Sequence, residues 1–201
     1  EAWNKSLGFE GITVAVIDSG VDIRHPDLKD NIWTNTKEIP GNGIDDDLNG
    51  YIDDVHGWDF VDEDNDPTPE TSGGYDVLGA NHGTISAGII GARGDNGVGI
   101  AGVTWQTAIM PLRVLGSSGD TRDPYAIVHA IEYAMNAGAS VISLSFVGTV
   151  ENDLLKIAIK RAYDAGVLVV AAAGNAPTGE AAIDLGKDPR YPVCLDQGGE
   201  N

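Results

Sequence analysis

Ile12-Thr13-Val14-Ala15-Val16-Ile17-Asp18-Ser19-Gly20 is the stretch on which the fold turns. Its first six residues are uncharged and rich in β-branched side chains, the pattern of a strand buried on both faces, as strands of parallel sheets are. The run ends in a carboxylate, Asp18, and the glycine two residues later lets the chain turn sharply as it leaves the core. Taken alone, Asp-Ser-Gly at a strand end reads more readily as a turn than as a site. Chemistry requires a partner.

Three further runs of the same kind follow, Thr107 to Val114, Ser140 to Ser145 and Val167 to Ala173. Helical patterns separate them. Asp123 and Pro124 suit a helix start, Ile127, Val128, Ile131, Ala134 and Met135 follow at helical spacing, and Gly138 closes that segment. A second helix is expected from about Glu151 to Ala165, with acids in its first turn, Lys160 and Arg161 late, and Gly166 as its stop. The alternation predicts an α/β fold on a mostly parallel, doubly wound sheet with helices on both faces. Residues 36–80, rich in Asp, Asn, Gly and Pro, read as an acidic elaborated loop within that one domain.

The 201 residues include 31 acids against 12 bases, a formal charge of −19 that repels nucleic acid and anionic membranes and attracts cations. Hydrophobic residues make up 42% of the chain, enough for one sizeable core. A lone Cys194 excludes an internal disulfide and reads as a small, buried or semi-buried hydrophobe. Nothing approaches the roughly 18 apolar residues of a membrane span, and Glu1 opens into a polar segment rather than a signal peptide, so any targeting or pro-segment is expected to have been removed or omitted.

Asp18 finds its partner type in Asn81-His82-Gly83-Thr84, where the histidine opens a segment of small residues suited to a tight helix. Such a histidine also serves as a plain helix start. Acyl transfer needs an imidazole as general base, a carboxylate to hold its tautomer, and a donor for the developing oxyanion. The run ending Ala171-Ala172-Ala173-Gly174-Asn175 places an amide where a buried strand stops, although it also reads as a strand-ending turn.

Together, Ala15-Val16-Ile17-Asp18-Ser19-Gly20-Val21, His25-Pro26-Asp27-Leu28, His82-Gly83-Thr84, Ala87-Gly88 and Ala171-Ala172-Ala173-Gly174-Asn175 resemble the subtilisin-like serine proteases, from about Gly11 to Pro192. The resemblance implies the chain order Asp, His, Ser, with Asp18 orienting His82, His82 as general base and acid, and Asn175 in the oxyanion hole. It also implies a secreted endopeptidase whose polypeptide substrate lies as an added strand between Ser145-Phe146-Val147-Gly148 and the segment around Gly119 and Asp120, with Ala172, Ala173 and Gly174 flanking the specificity pocket.

The sequence departs from the family pattern in three places. No Gly-Thr-Ser segment occurs before Asn201, so these residues are expected to form a partial catalytic domain, inactive alone, whose serine a remaining chain segment supplies. Ser86, one helical turn from His82, is a tempting substitute, but a small side chain at this position usually just packs. Ile85 stands where the family usually has histidine, and Val147 where the pocket wall usually has glycine, which reshapes the pocket.

Ten acids crowd between Asn42 and Asp66 with no Lys or Arg among them, a repulsion that cations relieve. Asp45, Asp47, Asn49, Tyr51 and Asp53 take alternate positions around Gly50, as in a calcium loop. His56 replaces the final glutamate, so Asp53 or Asp54 is expected to give the last carboxylate. By resemblance, a second Ca2+ site joins Asp27 to Asn96 and to the carbonyls of Val98 and Ile100. Gly97-Val98-Gly99-Ile100-Ala101-Gly102 matches a dinucleotide fingerprint but follows a helix rather than a strand, which excludes nucleotide binding. His25 and His129 read as structural. The competing reading of the whole is a non-catalytic, calcium-stabilised extracellular binding or structural module.

Overall fold

The run at Ile12 sits in the middle of a five-stranded sheet, and its neighbours on both sides explain why it carries no charge. The computed structural model describes residues 2–71, 77–116, 121, 123, 125–176 and 182–195. Strands β1 (Gly8–Asp18), β2 (Trp58–Asp59), β3 (Gln106–Arg113), β4 (Val141–Leu144) and β5 (Leu168–Ala171) lie in the order β2-β3-β1-β4-β5, and each neighbouring pair is parallel. Helices α1 (Val77–Ala80), α2 (His82–Gly91), α3 (Ala126–Asn136) and α4 (Asp153–Asp164) join them, with a 3-10 turn at Lys29–Asn31.

Alternate side chains of β1 serve two cores. Val14 and Val16 pack with Ile109, Val21, Leu28 and the α2 alanine Ala87 on one face. Ala15 and Ile17 face Met110, Leu112, Ile142 and Leu144, together with Ala130 and Ile131 of α3 and Leu155 and Ala158 of α4. Helices therefore cover both faces, as the alternation predicted. Among the described residues α2 packs chiefly on β1 and β3, and on its side of the sheet Leu168 and Val170 of β5 are exposed.

From β1 the chain passes over one face to β3 and then crosses beyond β1 to β4, which puts helices on opposite faces on either side of β1. Strand order reverses there, and the carboxyl ends of β1 and β4 form the crevice where such sheets bind ligands.

Three local details differ from the sequence expectation. Tyr125, not Asp123, precedes α3 and gives no side-chain cap, while Asp123 Oδ1 accepts a hydrogen bond from Tyr125 N at 2.9 Å and closes the turn before the helix. α4 begins at Asp153 because Asn152 caps it, its Oδ1 accepting from Leu154 N at 2.9 Å and Leu155 N at 3.1 Å. β2 arises inside the acidic loop and is too short to leave a periodic signal. It is anchored where the guanidinium of Arg113, buried at the end of β3, meets Asp59 and Asp62. Burial pushes the Asp59 carboxyl above its usual range despite the pull of Arg113.

Among the described residues, no helix is long and apolar enough to cross a membrane.

Loss of a side-chain cap leaves helix N–H groups without partners and costs about 1 kcal/mol. Asn152→Ala is expected to lower unfolding free energy by that amount in urea titrations; an unchanged midpoint would show that the cap does not hold α4.

Candidate active site and acidic loop

Asp18, the last residue of β1, has no exposed surface, and a buried carboxylate must find donors inside the protein. Ser19 N donates to its Oδ1 at 2.7 Å, and His82 Nδ1 lies 2.8 Å from Oδ1 and 2.9 Å from Oδ2. An ionised carboxylate only accepts, so the proton between them sits on Nδ1. That leaves Nε2 as the basic nitrogen, on a side chain 48% exposed.

The first turn of α2 is fastened to the residues after β1. The Ser19 hydroxyl donates to Ala80 O at 3.0 Å and accepts from Gly83 N at 3.1 Å, and Thr84 Oγ1 accepts from Asp22 N at 2.9 Å. A Cβ at Gly83 would lie 2.3 Å from Gly20 O and 3.0 Å from Asp18 Cβ, so only glycine permits this approach. The histidine is held at the carboxylate by the two residues that follow it.

Register carries the site sideways across the sheet. Leu144 of β4 aligns with Ile17 of β1 and Ala171 of β5, so Asp18, Ser145 and Ala172 leave three neighbouring strands at the same level. Ala172 N still donates to Leu144 O at 3.0 Å. Beyond it Gly174 adopts φ +89°, where a Cβ would come 3.6 Å from Val147 Cγ2, so the continuations of β4 and β5 face each other. Phe146, Val147 and Gly148, with Ile127, Leu155 and Tyr191, line a cavity of about 310 Å³.

The acidic loop is folded by its own carboxylates. Asp53 Oδ1 accepts from Gly41 N at 2.7 Å and Asn42 N at 3.1 Å, and its Oδ2 from Gly43 N at 2.9 Å. Asp54, fully buried, accepts from Asn35 Nδ2 and Asn49 Nδ2, both at 2.9 Å, and from the Tyr133 hydroxyl of α3. Burial first, and then Asp54, raises the Tyr133 phenol and keeps it protonated as a donor. Tyr51 packs edge-on against Trp58, Phe60 and Tyr133, and burial raises its phenol too.

A sequence model described as the subtilase family matches residues 10–192. The chain belongs to the subtilase family. It is 39% identical over 176 residues to thermitase of Thermoactinomyces vulgaris, a match covering 88% of this chain and 51% of thermitase. It is 33% identical over 196 residues to subtilisin-like protease 1 of Plasmodium vivax, covering 92% of this chain and 29% of that protein. Among solved structures, sphericase superposes with a TM-score of 0.62 at 30% identity, covering 86% of this chain and 48% of sphericase. Fervidolysin from Fervidobacterium pennivorans gives 0.65 at 28% identity, covering 95% and 24%. The chain thus spans about half the length of these subtilases, or less.

In this subtilase chain the structure brings together Asp18 with His82, and Val147 with Gly174, from segments far apart in sequence. Asn175 follows β5 by four residues and is exposed. Gly119 and Asp120 lie outside the described residues. At Gly148 the pairing an added strand could take is already made, because its N–H and carbonyl both bond Tyr191, at 2.8 and 2.9 Å. Asp27 meets Asn96 and the loop after α2 as expected, but through hydrogen bonds: its oxygens accept from Asn96 Nδ2 and Ile100 N at 2.8 Å each, and Asn96 Oδ1 accepts from Val98 N. Of the expected calcium loop, Asp45 and Asp47 fall in one carboxylate cluster with Glu38, whereas Asn49, Asp53 and Asp54 bond within the loop and to α3. Sequence reading missed Ser19 and Thr84 as fasteners, Tyr191, and Glu38, whose separation from the Asp-rich run gave no signal.

Gly83→Ala is expected to push α2 off β1 and separate His82 from Asp18, with a stability loss of about 1–3 kcal/mol. A urea midpoint equal to wild type would contradict the close approach.

Proposed function

We propose that the protein carrying this chain is a secreted serine endopeptidase, in which Asp18 and His82 activate a serine supplied by residues outside these 201. The observation that carries the reading is the buried Asp18 carboxylate on His82 Nδ1, which leaves Nε2 as the exposed base. Family membership supports it. Nε2 takes the proton of the serine hydroxyl as that oxygen attacks a peptide carbonyl, and returns it to the leaving amine; Asp18 holds the tautomer and the imidazolium that forms. Asn175 donates its amide to the oxyanion.

The substrate is an extended polypeptide laid along Ser145 to Val147, with its side chains reaching the cavity beside Phe146 and the pocket flanked by Ala172, Ala173 and Gly174. Val147, whose Cγ2 faces Gly174, narrows that pocket. With no nucleophile of its own, the 201-residue chain does not turn over peptides. The acidic loop binds calcium, a reading supported by the clustered carboxylates of Glu38, Asp45 and Asp47 in a chain of charge −19.

In the protein carrying this chain, Asp18→Asn is expected to keep the fold and lower kcat about 10⁴-fold, because the wrong tautomer would face the nucleophile. Asn175→Ala is expected to lower kcat about 10²–10³-fold with little change in KM. Steady-state kinetics on a peptide substrate check both; wild-type kcat in either variant removes the role assigned to that residue.

A further inference from the structure

Resting on the calcium reading of the acidic loop, we infer that one ion binds among Glu38, Asp45 and Asp47, with Asp53 and Asp54 as supports rather than ligands. A carboxylate oxygen from each of the three residues lies within 4.8 Å of the other two. Oxygens bound to one calcium at about 2.3–2.6 Å can be at most about 5 Å apart, so a single ion can bridge the set.

Asp47 supplies an independent sign that a ligand belongs there. Its side chain is 10% exposed, and its Oδ1 is buried with no hydrogen-bond partner. Oδ2 accepts from Asn35 Nδ2 at 3.3 Å, and Lys37 Nζ lies 3.9 Å away on an exposed side chain. Charged oxygens are seldom buried without a donor or a cation, and a metal ion supplies what Oδ1 lacks.

The other two carboxylates are already oriented. Glu38, 6% exposed, accepts through Oε1 from Asp46 N at 2.9 Å and Asp47 N at 3.2 Å, and through Oε2 from Asp53 N at 3.1 Å. Asp45 accepts from Asn49 N at 3.0 Å and Gly50 N at 2.8 Å. A carboxylate has about four acceptor positions, so these bonds fix each group while leaving lone pairs for an ion. Asp53 and Asp54, which the spacing of the Asp-rich run nominates, instead hold Gly41 to Gly43 and the Tyr133 hydroxyl.

Three hard anionic oxygens with no nitrogen or sulfur donor select calcium over zinc. Through Asp47, Asn35, Asp54 and Tyr133, the ion would tie the loop to α3.

The test strips the protein carrying this chain with chelator and titrates it with Ca2+ by isothermal calorimetry, as wild type and as Glu38→Gln, Asp45→Asn, Asp47→Asn and Asp54→Asn, with circular dichroism reporting folding. Each of the first three variants is expected to lose one equivalent of calcium or to bind it more than about 100-fold more weakly, beyond the roughly 10–100-fold of an outer-shell change. Asp54→Asn is expected to keep the wild-type stoichiometry. Asp45 is partly exposed, so its variant decides the matter if Glu38→Gln does not fold. Calcium uptake unchanged in the first three but lost in Asp54→Asn overturns this ligand set alone. A wild type that takes up no calcium overturns the calcium reading and the site with it.

Discussion

A carboxylate with no access to water governs the arrangement of the part of this molecule that holds the candidate active site. Asp18 ends the central strand fully buried, and two donors match it: the next backbone N–H and the ring of a histidine 64 residues later. Meeting that requirement fixes where α2 lies, because His82 can reach Asp18 only if the backbone of Gly83 nearly touches that of Gly20. The Ser19 hydroxyl and Thr84 then close the remaining polar groups of the junction. β4 and β5 carry the consequence outward in register, so residues 145 and 172 emerge level with the carboxylate. The proton position, the exposed Nε2 and the facing of Val147 and Gly174 all follow from that junction.

The acidic loop obeys the same constraint. Its charge density suggests a solvated surface, yet Glu38, Asp53, Asp54 and Asp59 are buried and each is matched. Backbone N–H groups match Glu38 and Asp53, amide side chains and a protonated tyrosine match Asp54, and Arg113 matches Asp59. Asp47 Oδ1 is the exception within the loop, and it lies in the cluster where an ion would relieve three charges at once. Carboxylates here organise backbone first, and the proposed ion would take only the lone pairs left over.

Sequence disclosed the sheet because β1, β3, β4 and β5 are buried on at least one side and must be apolar through most of their length. Asp18 and His82 are each ambiguous as local motifs, one a turn and the other a helix start, and become legible only together and through the resemblance to the subtilases. Sequence could not disclose β2, whose two residues are placed by pairing with Leu112 and Arg113. The bridge between Gly148 and Tyr191 joins segments with no shared pattern. Glu38 stayed hidden because a single glutamate gains significance only when the chain folds back and gives it three backbone donors. The α3 start was misassigned because Asp123 suits a cap in sequence, while the backbone uses it one turn early.

In the proposed function His82 is the base that activates a serine outside residues 1–201. Labelling by a fluorophosphonate, mapped by mass spectrometry in the protein carrying this chain, addresses that claim directly. The expected result is one labelled serine outside residues 1–201, with labelling lost in His82→Ala. Labelling at Ser86, or undiminished labelling in His82→Ala, would contradict it.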